Sequence, residues 1–152
     1  MPVILRSIVL MAVVLSSISC RKTEYVANVP FDPLKTLRDH GFAAKPNGER
    51  SETRNADDSV EYRWHGTIAS TALNDWEVLP GLWRDDIGNI LGSKPVAEFP
   101  ASDKRKPGEP FDGRLTWVEN GLHHEMKISL KTDESGKSVS YTISLKVEFV
   151  KK

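Results

Sequence analysis

The sequence predicts an α+β domain: a four- or five-stranded, largely antiparallel sheet with a C-terminal three-stranded meander, one face covered by short helices. Three observations carry this. The last forty residues alternate apolar and polar side chains with a period of two, broken by turn signals at Asn120-Gly121 and at Asp133-Glu134-Ser135-Gly136. Val60–Ile68 alternates in the same way. Between these strands, Trp76, Leu79, Trp83, Ile87 and Ile90 recur every three or four residues, as on one helical face.

Pairing outward from Asn120-Gly121 sets Glu119 opposite Leu122, Trp117 opposite His124 and Leu115 opposite Met126. The second turn sets Leu130 opposite Val139 and Ile128 opposite Tyr141. One face then collects Leu115, Trp117, Met126, Ile128, Leu130, Val139, Tyr141, Ile143, Leu145, Val147 and Phe149. The other collects Thr116, Glu125, Lys127, Ser129, Lys131, Ser138, Ser140, Thr142, Ser144, Lys146 and Glu148. A slip of one residue would send the apolar set to water, so both turns must agree on the sorting, and they do. In the earlier strand Val60, Tyr62, Trp64 and Ile68 face inward, and Glu61, Arg63, His65 and Thr67 outward. An alternating sheet of this kind needs cover on one side only.

The first helix is expected over 33–40. Asp32 can cap it, Pro33 suits its first position, Leu34 and Leu37 point one way, and Gly41 stops it. Only two turns long, it depends on packing. Pro80-Gly81 interrupts the second periodic stretch, which predicts a turn followed by a helix over about 82–91, or a kink at Pro80. Gly92 ends that helix. Residues 45–59 are nearly free of apolar side chains and read as a long loop or hairpin tip. Residues 93–112 read as irregular and rich in proline and charge.

The N-terminal twenty residues concern location. Arg6 is the only charge before Cys20, and Ile8–Leu15 is an unbroken apolar run of eight. About twenty such residues are needed to span a bilayer. A short positive head, a short apolar stretch and a small-residue end read as an export signal. Ser16, Ser17, Ile18, Ser19 and Cys20 resemble a bacterial lipoprotein signal, with Ser17 where leucine is usual. The resemblance implies removal of residues 1–19, lipidation of Cys20 (palmitate among the acyl chains), and a tether over 20–30 leading to a single domain over 31–152. Several acyl chains on one cysteine make a stable anchor where one chain holds only marginally. Arg21 follows the cysteine. In such lipoproteins an aspartate there marks inner-membrane retention, so the resemblance implies the outer membrane, with the domain in the periplasm.

Composition limits the function. Lys plus Arg equals Asp plus Glu at 21 each in 152 residues, which gives no basic excess for a nucleic-acid partner. Cys20 is the only cysteine, so no thiol remains in the domain for catalysis, metal or disulfides. His123-His124-Glu125 with His65 is the tempting metal cluster. Alternation puts His123 and Glu125 on the polar face and His124 opposite, across from Trp117. The spacing is not HExxH, so His124 reads as an edge-of-core residue and His123 as solvated. Asp85 and Asp86 are adjacent on a helix and share no face. Glu61 and Asp75 have no evident partner. No serine sits in a GxSxG elbow. No catalytic residue, metal ligand or cofactor is assigned. Trp64, Trp76, Trp83 and Trp117 all fit buried faces.

LPGLWRDDIGNILGSKP is similar to a stretch of the SmpA/BamE-type outer-membrane assembly lipoproteins, through Leu79, Gly81, Ile87, Leu91, Gly92 and Pro95. One extra residue lies between glycine and proline, and Leu82-Trp83 replaces the Met-Thr pair, removing its capping threonine. The resemblance implies scaffolding among envelope proteins.

The functional expectation is a non-enzymatic, lipid-anchored protein-binding protein. Its partner would be another envelope or secreted protein, and one form is an inhibitor or immunity protein against an envelope-targeting enzyme. The alternatives are an outer-membrane assembly scaffold, or a small-ligand or lipid binder with a cleft beside Trp83. Expected contact regions are 45–59, 93–112 and the tips at Asn120-Gly121 and 133–136.

Overall fold

The computed structural model describes residues 31–69, 78–100, 109–134 and 137–150. The signal, Cys20, the tether, Asp75 and Trp76 lie outside them. Helix α1 (Pro33–Asp39) leads to short strands β1 (Ala44–Pro46) and β2 (Ser51–Arg54), then β3 (Val60–Ala69). Helix α2 (Leu79–Leu91) precedes β4 (Val96–Glu98) and the long strands β5 (Phe111–Glu119), β6 (Leu122–Thr132) and β7 (Ser138–Phe149). All seven strands join one sheet in the order β1-β3-β7-β6-β5-β4, with β2 pairing β3 beside β1; every pairing is antiparallel. The α+β class and the terminal meander are as expected. The sheet is wider than the predicted four or five strands, and both helices pack against it.

The extra strands account for the difference. Ser51–Arg54 pairs β3 through its backbone while all four side chains stay exposed. Residues 45–59 are therefore not one long loop. An edge strand without a buried face has no apolar alternation to betray it. The β2–β3 turn is also tightly built. Ser59, fully buried, donates its hydroxyl to Asp57 Oδ1 at 2.6 Å and receives one from Asn55 Nδ2 at 2.9 Å. That bond from Ser59 holds the Asp57 carboxyl below its ordinary range. Likewise β4 lies inside the stretch read as irregular, and pairs Val96 with Thr116 and Glu98 with Arg114.

The Asn120-Gly121 turn has both residues at positive φ, 52° and 77°, as a type I′ turn requires. The β5–β6 register is the predicted one. The β6–β7 register is shifted by two residues: Leu130 faces Tyr141 and Ile128 faces Ile143. The Asp133 carboxylate explains the shift. It accepts from the Lys137 amide at 3.0 Å and the Ser138 hydroxyl at 2.8 Å, and the Asp133 N–H donates to the Ser138 carbonyl at 2.9 Å. The hairpin closes at Asp133–Ser138, where the predicted register set Asp133 opposite Gly136. A shift of two keeps parity, so the face sorting is unchanged. Every member of the apolar set is buried except Phe149, which is 38% exposed at the strand end.

Helix α1 is capped by Asp32, whose side chain accepts from the Leu34 amide at 3.0 Å. Leu37 is buried and Leu34 only half so. Replacing Asp32 with Ala removes this bond and the 3.3 Å contact to Arg38, with an expected loss of about 1 kcal/mol in denaturant unfolding. Helix α2 begins at Leu79, earlier than predicted. Pro80 sits in its first turn, where its missing N–H costs nothing, so it starts the helix and does not kink it. The N-cap is Val78, without a side-chain capping bond. Leu79, Trp83 and Ile87 are buried, and Leu91 is half-buried; Ile90 lies off this i, i+4 stripe and is exposed. Gly92, at φ 72°, ends it.

Candidate interaction surface

The sheet's core face lies under the helices. Its other face carries Arg63, His65, Lys127, Lys131, Ser140 and Thr142, all exposed. Antiparallel register lines these side chains up in transverse rows. One row runs His65, Thr142, Ser129, Asp112. The next runs Arg63, Ser144, Lys127, Arg114, Glu98. The third runs Glu61, Lys146, Glu125, Thr116, Val96. Hydroxyls fill the middle of the first row, a hydroxyl and a lysine that of the second, and an opposite-charge pair that of the third. Among the described residues, no Phe, Tyr or Trp belongs to these rows.

Ion pairs knit the rows. Arg114 donates to Glu98 Oε2 at 2.6 Å and Glu125 Oε1 at 3.2 Å, and these bonds, Glu98's first, raise its pKa. Lys127 lies 3.6 Å from Glu125. Lys146 meets Glu148 at 2.8 Å and Asp57 at 3.8 Å; the Glu148 bond raises the lysine and holds the glutamate low. Glu61, without evident partner in the sequence, meets Arg63 at 2.8 Å. These exposed pairs add little stability. Their effect is to hold long side chains in place. Between Arg114, Lys127, Glu98 and Asp112 lies a shallow depression of about 400 Å³ floored by Ser129, Thr142 and Ser144. It opens on the polar face, not beside Trp83.

The histidines are dispersed. His123 is half-buried on the polar face, 3.4 Å from Glu148. His65 stands two strands away, in another row. Among the described residues, no three His, Cys, Asp or Glu side chains are grouped to hold a metal ion. Asp85 pairs Lys94 at 2.8 Å and Asp86 meets His40 at 3.4 Å. No helix among the described residues is long and apolar enough to cross a membrane.

His124 lies deeper than the core edge predicted for it. It is 3% exposed, and its ring stacks on Trp117 at 4.9 Å and 6°. Its Nδ1 is buried without a hydrogen-bond partner, and burial lowers its pKa below the ordinary 6.5. The unfolded chain therefore binds this proton more readily than the fold. The contribution to stability is complete above about pH 6.5 and falls as pH drops below it, until the folded group also titrates. Chemical unfolding at pH 7 and pH 5 should show lower stability at pH 5, and His124→Phe should reduce the difference.

No protein-family model matches this chain, and no curated protein sequence matches it significantly.

Proposed function

We propose that this chain is a lipid-anchored envelope protein whose domain binds another protein through the open face of its sheet. The observation that carries this reading is a sheet face that no described residue covers and whose charged side chains are paired across the strands. Four long strands about 4.8 Å apart and about 30 Å long offer roughly 600 Å². The short edge strands extend it toward the roughly 800 Å² per partner of a standard interface. Arg114, in its fork of carboxylates, is a residue type enriched in such contacts, and Val96, 66% exposed, supplies an apolar anchor beside it. The depression on this face is open and lined mainly by charged and hydroxyl side chains, unlike the enclosed apolar cleft of a small-ligand binder. An inhibitor or immunity protein acts by covering a site, and a flat, braced face suits that action.

Cys20 carries the anchor in this reading. Metabolic palmitate labelling should mark the wild-type chain and not Cys20→Ala. The binding claim is tested by recovering partners of the tagged mature chain from envelope extract. Arg114→Glu and Lys127→Glu should lose a stoichiometric partner that wild type retains. Equal recovery by wild type and both variants would remove the open face from the reading.

A further inference from the structure

We propose that the stack of His124 on Trp117, with Phe31 set edge-on to the same indole, is an acid-sensitive clasp: protonation of the imidazole opens it and frees Phe31 while the sheet stays folded.

The clasp lies on one row of the core face. Register places His124 between Trp117 of β5 and Val147 of β7, with Val60 of β3 beyond. The imidazole lies flat on Trp117 at 4.9 Å and 6°. Phe31 meets the same indole at 6.4 Å and 80°. All three rings are buried. A neutral imidazole suits this place as an aromatic plate. A charged one does not. In the imidazolium both nitrogens donate, and Nδ1, buried without a partner, has no acceptor. Attraction between the cation and the Trp117 face returns part of that cost. The Leu122 backbone also favours the charged ring, but less than burial opposes it.

No neighbouring charge makes up the difference. Glu119 is the carboxylate that β5 carries on this side, at the turn and opposite Leu122. Asp32, next to Phe31, is taken up by the Leu34 amide and by Arg38. The other carboxylates of the two helices pair outward, Asp39 with Lys35, Asp85 with Lys94 and Asp86 with His40. Tyr62 of β3, one row away, stays neutral in acid. The charge that bears on the ring is His123, and it opposes a second one.

Phe31 is the loose side of the clasp. It precedes the seven-residue α1 and its Asp32 cap, so its release breaks no strand pairing. Trp117 and His124 are held by the β5–β6 ladder, and His124 by β7 as well. The bond from the Trp83 indole to the Pro33 carbonyl keeps α1 in place. Segments at the end of an element open at the lowest free energy. With Phe31 off, water reaches the imidazole and its ordinary pKa of 6.5 returns. The ratio of open to closed clasp therefore rises by up to about tenfold for each pH unit below 6.5, until the closed ring also takes a proton.

The test places fluorophenylalanine at Phe31 or, as a reference within the sheet, at Phe111. Fluorine NMR of the whole purified chain is followed from pH 7.5 to pH 4.5. The Phe31 signal should move toward that of the solvated amino acid as pH falls below 6.5, and return on neutralisation. The Phe111 signal should hold. His124→Phe keeps the plate and loses the proton, so its Phe31 signal should hold throughout. His124→Gln, equally unable to titrate, gives the same reading if the first variant does not fold. A Phe31 signal that never moves in the wild-type chain would overturn the proposal. So would movement of both signals together, which is unfolding of the whole domain. So would a response that survives in the variants, which gives the proton to another group.

Discussion

Gly66→Ala should destabilise the fold by about 3 kcal/mol, at the upper end of overpacking costs. Gly66 lies in β3, on the inward face between Trp64 and Ile68, opposite Tyr141. A Cβ at this position would sit 2.2 Å from the Lys45 carbonyl oxygen and 2.6 Å from the Tyr141 hydroxyl. The first obstacle is backbone in an adjacent paired strand and cannot swing aside. The second is the end of a ring that is 1% exposed. Chemical unfolding of the purified variant reads the loss directly. A second variant separates the two obstacles. The Tyr141 hydroxyl is buried without a hydrogen-bond partner, so Tyr141→Phe removes an uncompensated polar group and should be neutral or slightly stabilising. In the Gly66→Ala background it should recover only part of the loss, because the Lys45 carbonyl remains.

Trp83→Ala should cost about 3–5 kcal/mol. Trp83 is fully buried on α2, and its indole N–H donates to the Pro33 carbonyl at 3.1 Å in the first turn of α1. This one side chain fills the space under α2 and joins the two helices. α1 has seven residues and no independent stability, so it should loosen with the contact. Trp83→Phe keeps much of the volume and loses the bond, while the Pro33 carbonyl keeps its partner in the α1 ladder. A smaller loss of about 1–2 kcal/mol is expected. Proteolysis near residue 40 should accelerate in Trp83→Ala before the sheet opens, and β5–β7 amide exchange should stay slow where α1 alone is released.

The meander, the face sorting, the first turn and both helices were legible in the sequence. Their signals are periodic or depend on one residue type with one physical use, such as Asn120-Gly121 at positive φ. What escaped had no such signal. β2 and β4 bury no apolar face, so SETR and VAE look like loop. Parity fixes which face Tyr141 takes but not whether it meets Ile128 or Leu130; the Asp133 carboxylate settles that. Pro80 reads as a break in the sequence because nothing there shows that the helix starts just before it. Gly66 offered a usable clue. A glycine at an inward position of a clean strand marks a close backbone approach.

The candidate surface was half visible. The correct β5–β6 register already set Arg114 opposite Lys127 and Thr116 opposite Glu125. The fork on Arg114 needed β4 to bring Glu98 alongside, and β4 was not foreseen. The expected contact regions were loops and hairpin tips. The structure turns attention to the face between them, where the braced charges and hydroxyls lie. His124 was placed on its correct face by alternation. Its depth comes from packing by Trp117, whose stacked geometry no spacing rule states.

The open face as a partner surface is most directly tested by photo-crosslinking in living cells, from an amino acid placed at Ser129. The account predicts one discrete adduct in the membrane fraction from Ser129, and none from Ile90 on the exposed end of α2. Adducts from Ile90 with none from Ser129 would contradict it.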